Sequence, residues 1–424
     1  MRARVAGAPP AAVVMSLLAA AVVACTGGER ARVPSDSTAD AAPSRVPNVL
    51  VRLPAPDDST ARALADSLER EGWTVSAAGA SPQAGRRTVD VAISGDTVLA
   101  RLIAHALRGV GPAPTVTVAS ARPASGLRVS VVPVNRGTHG MSARVRWATS
   151  PDRRTLLVVE DPRAVENDPV PNGFVVASEG APPVQRDSVW DVAPAPDWRR
   201  VAYGRAYTTA PGESDSVPPG EWHRLAARVG LMESIVRRNA FPTSGMVTAF
   251  GVARPFILDS LSAAGTDPSR DRALPIAEGW RLGWTADGSR LAIGAPAELI
   301  SDDGAAAGWR LVDPTSGAPR GVAETAAVTR PRWTEGPTLD ISTPIDMQER
   351  RAFRTGPADI ESEEGWIRVF VRSTARLRSP RIVGPGVALT TSANREFVVA
   401  ITPDPDAKSY DPPNRLVVYH VVLR

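Results

Sequence analysis

The sequence predicts a small α+β domain with the order β-α-β-β-α-β, followed by an all-β propeller of five or six blades. Two observations lead to this prediction. A hairpin-like segment, WTADGSRLAIG at residues 284–294, recurs along the later two thirds of the 424-residue chain. Before these repeats, residues 48–121 alternate between the apolar periodicity of strands and that of helices.

The recurring segment joins two apolar strands through a tight turn. In residues 284–294 the turn is Asp287–Gly288, which supplies the positive-φ residue that a short hairpin connection needs. Similar segments begin at Trp147, Asp191, Arg332 and Leu389. The interval is 45 residues from Asp152 to Asp197, 90 from Asp197 to Asp287, and 48 from Asp287 to Glu335. Repeats of about 40 to 50 residues with short strands are typical of β-propellers.

The propeller is predicted to span residues 127–424. Its recognisable blades start near Arg144, Val189, Glu278, Val328 and Gly386, and a sixth blade is expected between 244 and 276. The strand at Leu127 to Val134 has no partner in its own repeat, so we expect it to complete the C-terminal blade and close the ring. An amphipathic helix is predicted as an insertion near 221–239, where it serves as a cap, a lid or a partner site.

The pattern of these repeats also points to a family. Tryptophan, small polar residues, Pro-Asp or Asp-Gly and then an apolar strand resemble the WD40-like propeller repeats of TolB-like proteins. The resemblance covers about two thirds of the chain. It implies a scaffold, and since propellers host many unrelated activities it implies no particular function.

The small domain is predicted at residues 48–121. Its strands are NVLVRLPA, TVSAAGA, RTVDVAISG and PTVTVAS, and its helices lie in DDSTARALADSLEREGW and DTVLARLIAHALRGVG. The first helix carries apolar residues at helical spacing and ends at Gly72, whereas Asp96 is suited to cap the second. The order is that of a ferredoxin-like split βαβ unit, whose two helices cover one face of the sheet.

LADSLEREGWTV followed by a second βαβ half resembles the SPOR domain. The resemblance implies binding of peptidoglycan glycan strands, stripped of their peptides, on the open face of the sheet. Strand alternation and this resemblance together single out four candidate glycan-binding residues, Arg52, Thr88, Asp90 and Thr117. The alternative is a packing module with the same topology and no ligand.

The N-terminus has the features of a lipoprotein signal peptide at residues 1–24. Two early arginines precede an apolar run from Ala11 to Ala24, which is too short to span a bilayer. The run ends in Val-Val-Ala-Cys, which resembles the bacterial lipobox and implies lipidation of Cys25. Residues 25–47 contain few large apolar residues and are predicted to be a disordered tether. Thr26 is not the aspartate of the inner-membrane retention signal, so an outer-membrane anchor facing the periplasm is expected.

Composition and missing motifs exclude several function classes. The net charge is +4, Lys408 is the only lysine, and the arginines are dispersed without a long basic run, so no nucleic-acid surface is expected. The chain contains no Walker sequence, dinucleotide glycine motif, HExxH or GxSxG elbow. The four histidines lack metal-ligand spacing, and the single cysteine forms no internal disulfide. No catalytic residue, metal or cofactor is predicted, and we expect the protein not to be an enzyme.

These observations predict a lipid-anchored protein of the cell envelope. Its partners are the membrane through the lipid anchor, peptidoglycan through the SPOR-like domain, and an unknown protein on the propeller. Two alternatives stay open at this point. One is a propeller adaptor without glycan binding, and the other is an envelope hydrolase that uses the propeller pocket.

Overall fold

A computed structural model describes residues 47–55, 57–80, 87–107, 115–120, 127–135, 142–163, 172–207, 252–258, 271–274, 281–294, 309–342, 345–354, 357–371, 380–409 and 411–423. The predicted signal peptide, the tether with Cys25, and the helix near 221–239 lie outside these residues, as does most of the region of the sixth blade.

The described residues belong to two compact units. Unit 1 comprises those within Met1–Val131, Asp346–Pro405 and Tyr419–Arg424, and unit 2 comprises those within Val132–Ile345 and Asp406–Val418. Unit 1 therefore combines the N-terminal elements with strands from the end of the chain.

The N-terminal elements follow one another in the order β-α-β-β-α-β. They are β1 (Pro47–Ala55), α1 (Asp58–Glu71), β2 (Thr74–Ala80), β3 (Arg87–Gly95), α2 (Thr97–Ala106) and β4 (Thr115–Ser120). The strands lie in the antiparallel order β2-β3-β1-β4. Asp57 and Asp96 cap the two helices through their side chains, and Gly72 ends α1 in the left-handed conformation.

One face of this N-terminal sheet is buried. Val49 and Val51 of β1 are fully buried, as expected for alternate residues that point to the helices. The helices contribute buried residues at helical spacing, namely Ala61, Ala65, Leu68, Leu99, Leu102 and Ile103. The opposite face carries the exposed Arg52.

The rest of the described chain is β-structure, apart from a 3-10 turn at Thr325–Ala327. Its strands are β5 (Leu127–Pro133), β6 (Ser142–Thr149), β7 (Thr155–Arg163), β8 (Asn172–Ser178), β9 (Val184–Pro194), β10 (Val201–Tyr207), β11 (Val252–Leu258), β12 (Arg272–Ala273), β13 (Arg281–Thr285), β14 (Leu291–Gly294), β15 (Trp309–Val312), β16 (Pro319–Ala323), β17 (Val328–Thr329), β18 (Thr334–Asp340), β19 (Arg351–Phe353), β20 (Ala358–Glu363), β21 (Trp366–Val371), β22 (Arg381–Pro385), β23 (Val387–Thr391), β24 (Phe397–Pro403) and β25 (Asn414–Leu423).

These strands form antiparallel meanders of the kind that make propeller blades. One sheet has the order β19-β20-β21-β22, and another has the order β16-β15-β14-β13-β17. A third runs β12-β11-β10-β9-β8-β7-β6-β18. Strand β9 pairs with β8 mainly through its first half and with β10 through its second half, so it joins two successive meanders into one sheet. The chain is thus mainly β and built from blade-like sheets.

Strand β5 joins the N-terminal elements to the end of the chain. It lies between β25 and β3 in the order β23-β24-β25-β5-β3-β1-β4. Its pairing with β3 is parallel, with Ser94 opposite Arg128 and Gly95 opposite Val129. The Asp96 carboxylate supports this junction, because Oδ1 accepts a hydrogen bond from the Leu99 N–H at 2.9 Å and Oδ2 accepts one from the Val131 N–H at 3.0 Å.

Four of the five predicted hairpins share one turn geometry, in residues 150–155, 195–200, 285–290 and 392–397. In each, the first N–H donates to the sixth carbonyl at 2.8 to 3.1 Å, and the fourth N–H donates to the first carbonyl at 2.8 to 3.2 Å. The fourth residue has a φ of 58 to 70°. The third residue is Asp or Asn, and its Oδ1 accepts the N–H of the fifth residue. The spacing of aspartates in the sequence reflects this turn.

The hairpin predicted at Arg332 is wrong. Residues Thr334–Asp340 form a single strand, β18, which pairs antiparallel with β6 and is bulged between Glu335 and Thr338. With the spacing of the hairpin at Trp284, counted from the tryptophan, Gly336 stands at the position of Asp287 and Pro337 stands at that of Gly288, which has a positive φ. The proline ring holds φ near −65°, so this segment cannot form the shared turn.

Asp287 is predicted to stabilise its turn most strongly above about pH 4. Hydrogen bonds from the Thr285 hydroxyl and the Ser289 N–H lower the pKa of Asp287 to about 2. A carboxyl whose pKa is lowered by folding stabilises the folded state at pH values above its unfolded-state pKa of about 3.9. This stabilisation is lost as the pH falls through the folded-state pKa. Asp287→Ala should therefore lower the midpoint of thermal unfolding at pH 7.

The control is Asp287→Asn, which keeps the Oδ1 acceptor and should lower the midpoint less. The difference between wild type and Asp287→Ala should shrink as the pH is lowered from about 4 to about 2, as measured by calorimetry. An unchanged difference across this range would show that the ionised carboxylate does not hold the turn.

Candidate functional site

The candidate glycan face contains a close ion pair between two of the predicted residues. Arg52 of β1 lies directly opposite Asp90 of β3. The Arg52 Nε donates to Oδ1 of Asp90 at 2.9 Å and Nη2 donates to Oδ2 at 2.8 Å. The Arg52 side chain is 47% exposed, and hydrogen bonding to Asp90 raises its pKa. The structure thus brings these two residues together on the side of the sheet opposite Val49 and Val51.

The other predicted site residues are placed only by their backbone register. Thr88 lies opposite Pro54, and Thr117 lies opposite Leu50, so each is two strand positions from the level of Arg52. Cys25 lies outside the described residues.

A second cluster, in unit 2, was missed by the sequence-based interpretation, which treated the arginines as dispersed. We call it the arginine–tryptophan cluster, and its members are Arg146, Asp191, Arg281, Trp309, Arg330 and Trp333. Two Arg-Xaa-Arg-Trp sequences, at residues 144–147 and 330–333, contain three of its members and are the signal that the sequence offers for it.

Asp191 is the buried centre of this cluster. Its Oδ2 accepts the backbone N–H of Leu282 at 2.8 Å, and Arg330 Nη2 donates to both carboxylate oxygens at 2.6 and 2.9 Å. The Asp191 side chain is 7% exposed, whereas that of Arg330 is 32% exposed. Burial raises the pKa of Asp191, and the positive charges of Arg330 and Arg146 oppose this rise.

The guanidinium groups of the cluster stack on tryptophan rings. The Arg146 Cζ lies 4.5 Å from the ring centroid of Trp333, and the Arg281 Cζ lies 5.1 Å from that of Trp309. The Arg330 Cζ lies 6.0 Å from the same Trp309 ring. These distances are within the range of cation–π attraction, so the rings hold the three cations in fixed positions.

Gly283 allows the Arg330 segment to approach strand β13. A Cβ atom at this position would lie 2.3 Å from Cγ1 of Val328 and 3.4 Å from Cγ of Arg330. Any larger residue would therefore displace the segment that carries Arg330.

A separate buried arginine of unit 2 is fully engaged with protein groups. Arg186 donates through Nε and Nη2 to Asp271 at 2.5 and 2.8 Å, and through Nη1 to the Gln185 carbonyl at 2.8 Å. The Tyr203 hydroxyl also donates to Asp271 at 2.5 Å, and burial raises the pKa of Tyr203. This hydrogen-bond network has the features of one that stabilises the fold.

Within the described ranges, no group of three or more His, Cys, Asp or Glu side chains could hold a metal ion. None of the described helices is long and apolar enough to cross a membrane.

No protein-family model and no curated protein matches the chain. Solved structures similar to it include the β-propeller domain of the Trilobed protease from Pyrococcus furiosus, with 11% identity, coverage of 67% of this chain and 70% of that one, and a TM-score of 0.24. The acylaminoacyl peptidase of Pyrococcus horikoshii matches with 8% identity, coverage of 68% and 40%, and a TM-score of 0.23.

The WD40 domain of SCAP from fission yeast matches with 12% identity, coverage of 65% and 53%, and a TM-score of 0.16. This chain thus spans well under two thirds of the peptidase. The strand order and the shared turns of the chain itself show the blade-like sheets.

Arg330→Ala is predicted to destabilise unit 2. The change leaves the Asp191 carboxylate buried without its ion-pair partner, which should lower the free energy of unfolding by about 3 kcal/mol, the low end of the range for a buried pair because Arg330 is 32% exposed. Chemical denaturation measured by circular dichroism tests this. In Arg330→Ala/Asp191→Asn the uncompensated charge is gone while the acceptor for Leu282 remains, so at least half of the loss should be recovered. If the stability losses of the two single variants simply add in the double variant, Arg330 and Asp191 are not coupled.

Proposed function

We propose that this protein is a lipid-anchored scaffold of the cell envelope that binds peptidoglycan through its SPOR-like N-terminal region and a protein partner through its propeller. It acts by binding and not by catalysis. The observation that carries the glycan part is the exposed Arg52–Asp90 pair on the sheet face opposite the buried β1 residues.

The pair is chemically suited to sugar hydroxyls. A guanidinium group has five N–H donors and Asp90 engages two of its nitrogens, so Arg52 retains donors on an exposed side chain. The Asp90 contact also holds the guanidinium in a fixed orientation, which reduces the entropy lost on binding. Thr88 and Thr117 lie at neighbouring register positions, and a threonine hydroxyl can donate to a sugar hydroxyl or accept from it.

The anchor in this proposal is Cys25. Its thiol, at the end of the lipobox-like Val-Val-Ala-Cys, takes the lipid, and residues 25–47 form the tether between membrane and folded protein. Two or more acyl chains are needed for stable anchoring. The absence of an aspartate after Cys25 favours the outer membrane, with the protein facing the periplasm.

An adaptor without glycan binding is the second candidate, and contacts within unit 1 favour it. The ring centroids of Trp73 and Trp366 are 5.0 Å apart in an edge-to-face arrangement. A Cβ at Gly72 would lie 2.5 Å from the Pro380 carbonyl oxygen, so α1 ends directly against the strand region before β22. These contacts and the β3–β5 pairing make the N-terminal elements part of a larger packed unit, which is a sufficient structural reason for their presence.

Arg52→Ala is predicted to weaken glycan binding without unfolding the protein. Loss of hydrogen bonds from a charged group should reduce the affinity about 10- to 150-fold in co-sedimentation with peptide-stripped peptidoglycan. The matched control is Arg70→Ala on α1, where the exposed guanidinium only reaches the Asp66 carbonyl at 3.1 Å. Failure of the wild type to sediment would rule out glycan binding and leave the adaptor function.

Cys25→Ser is predicted to abolish lipid labelling and to release the protein from membranes. Only a thiol forms the thioether to the lipid, and the chain has no other cysteine. Metabolic labelling with palmitate, followed by membrane fractionation, tests this. Continued labelling of the variant would contradict the anchor, and Thr26→Ser is the control that should stay labelled and membrane-bound.

A further inference from the structure

The arginine–tryptophan cluster contains charged donors that lack acceptors. The Nε atoms of Arg146 and Arg330 are buried, and neither has a hydrogen-bond partner. The nearest carboxylate to Arg146 is Asp161, at 4.0 Å from its Nη2, which is beyond hydrogen-bonding distance. A buried donor on a charged group that makes no hydrogen bond costs free energy, so this arrangement is unfavourable for folding alone.

The contrast with Arg186 shows that unit 2 can satisfy a buried arginine fully. All three guanidinium nitrogens of Arg186 donate to protein acceptors. Arg146 and Arg330 instead lie against tryptophan rings, which fix the position of a cation without using its N–H groups. The side chains of Arg146 and Arg330 are also 17% and 32% exposed, so a ligand can reach them from solvent.

We propose that the arginine–tryptophan cluster binds a carboxylate side chain of an acidic protein partner. This inference deepens the proposed function and rests on its claim that the propeller holds a protein. It concerns only unit 2, and it does not depend on glycan binding.

The charge and shape of the cluster favour a carboxylate. Arg330 has a close ion-pair partner in Asp191, whereas the pair of Arg146 with Asp161 is at 4.0 Å, so the positive charge of Arg146 is available to attract a further anion. A carboxylate carries one negative charge and accepts parallel N–H donors from arginine, whereas a phosphate carries up to two charges at neutral pH. Arg330 already holds one carboxylate, that of Asp191, through both oxygens. The tryptophan rings offer apolar contact to the methylene groups of a Glu side chain.

The test uses the full-length protein in detergent and isothermal titration calorimetry. The probe is the blocked peptide acetyl-Ala-Glu-Glu-Ala-amide, whose only carboxylates are on side chains, and its uncharged counterpart is acetyl-Ala-Gln-Gln-Ala-amide. Wild type should bind the Glu peptide but not the Gln peptide, and added salt should weaken the binding. Arg146→Gln and Arg281→Gln should each weaken it about tenfold or more.

Arg199→Gln is the matched control, because it removes the same charge from an exposed position in the shared turn at residues 195–200. It should bind the Glu peptide like wild type. Thermal unfolding measured by circular dichroism shows whether Arg146→Gln is folded at the temperature of the titration. If Arg146→Gln fails to fold, Arg281→Gln and Arg146→Lys are compared with wild type instead. Arg146→Lys should bind the Glu peptide more weakly, because lysine lacks the planar guanidinium fork.

Three results would overturn the inference. The first is that the Glu peptide gives no heat of binding. The second is that Arg146→Gln and Arg199→Gln lose affinity equally. The third is that stoichiometric inorganic phosphate displaces the peptide. Co-sedimentation with peptidoglycan tests the glycan part of the proposed function separately, and it should be unchanged in Arg146→Gln. A wild type that sediments with peptidoglycan but ignores the peptide would overturn only the carboxylate site.

Discussion

The position of β5 is the constraint on which the arrangement of unit 1 depends. This strand has β25 on one side and β3 on the other, so neither of its edges is left without a neighbouring strand. The Asp96 carboxylate binds both the start of α2 and the N–H of Val131, and so couples the first helical turn to the strand. Because β3 also pairs with β1 and β2, the N-terminal strands and the last meander share one sheet.

The shared turn has a comparable role along the repeats. Its fourth residue needs a positive φ, which costs little for Gly288 but more for Arg153, Trp198 and Arg395. The hydrogen bonds of the Asp or Asn at the third position offset this cost at all four turns. A local motif of this kind can be read from sequence because donor, acceptor and strained residue lie within six positions. The same rule explains the failure at Arg332, where proline occupies the strained position.

The sequence therefore predicted local structure, such as strand bounds and helix caps, better than it predicted long-range strand pairing. Strands β2 and β3 have the predicted bounds, Asp96 caps the helix it was expected to cap, and alternation put Arg52 and Asp90 on one face. By contrast, β18 pairs with β6, which lies about 190 residues earlier in the chain. No feature of either strand's sequence identifies the other as its partner. The arginine–tryptophan cluster depends on this pairing, because it brings the Trp333 region beside Arg146. Neither Arg-Xaa-Arg-Trp sequence indicates a cluster until this strand pairing brings the two sequences side by side.

Arg186 and the arginine–tryptophan cluster differ in how unit 2 engages their guanidinium groups. Arg186 donates through Nε and Nη2 to Asp271 and through Nη1 to the Gln185 carbonyl, so that every nitrogen is used, which is the arrangement expected when a buried charge serves stability. Arg146 and Arg330 keep buried donors unused beside aromatic rings, although replacing such residues with apolar ones of similar size would remove the cost. A site that holds partly exposed guanidinium groups in a fixed orientation, with donors left unused, would be preorganised for an anion. The same stacking that fixes these cations in the unbound protein would reduce the entropy lost when a partner's carboxylate binds.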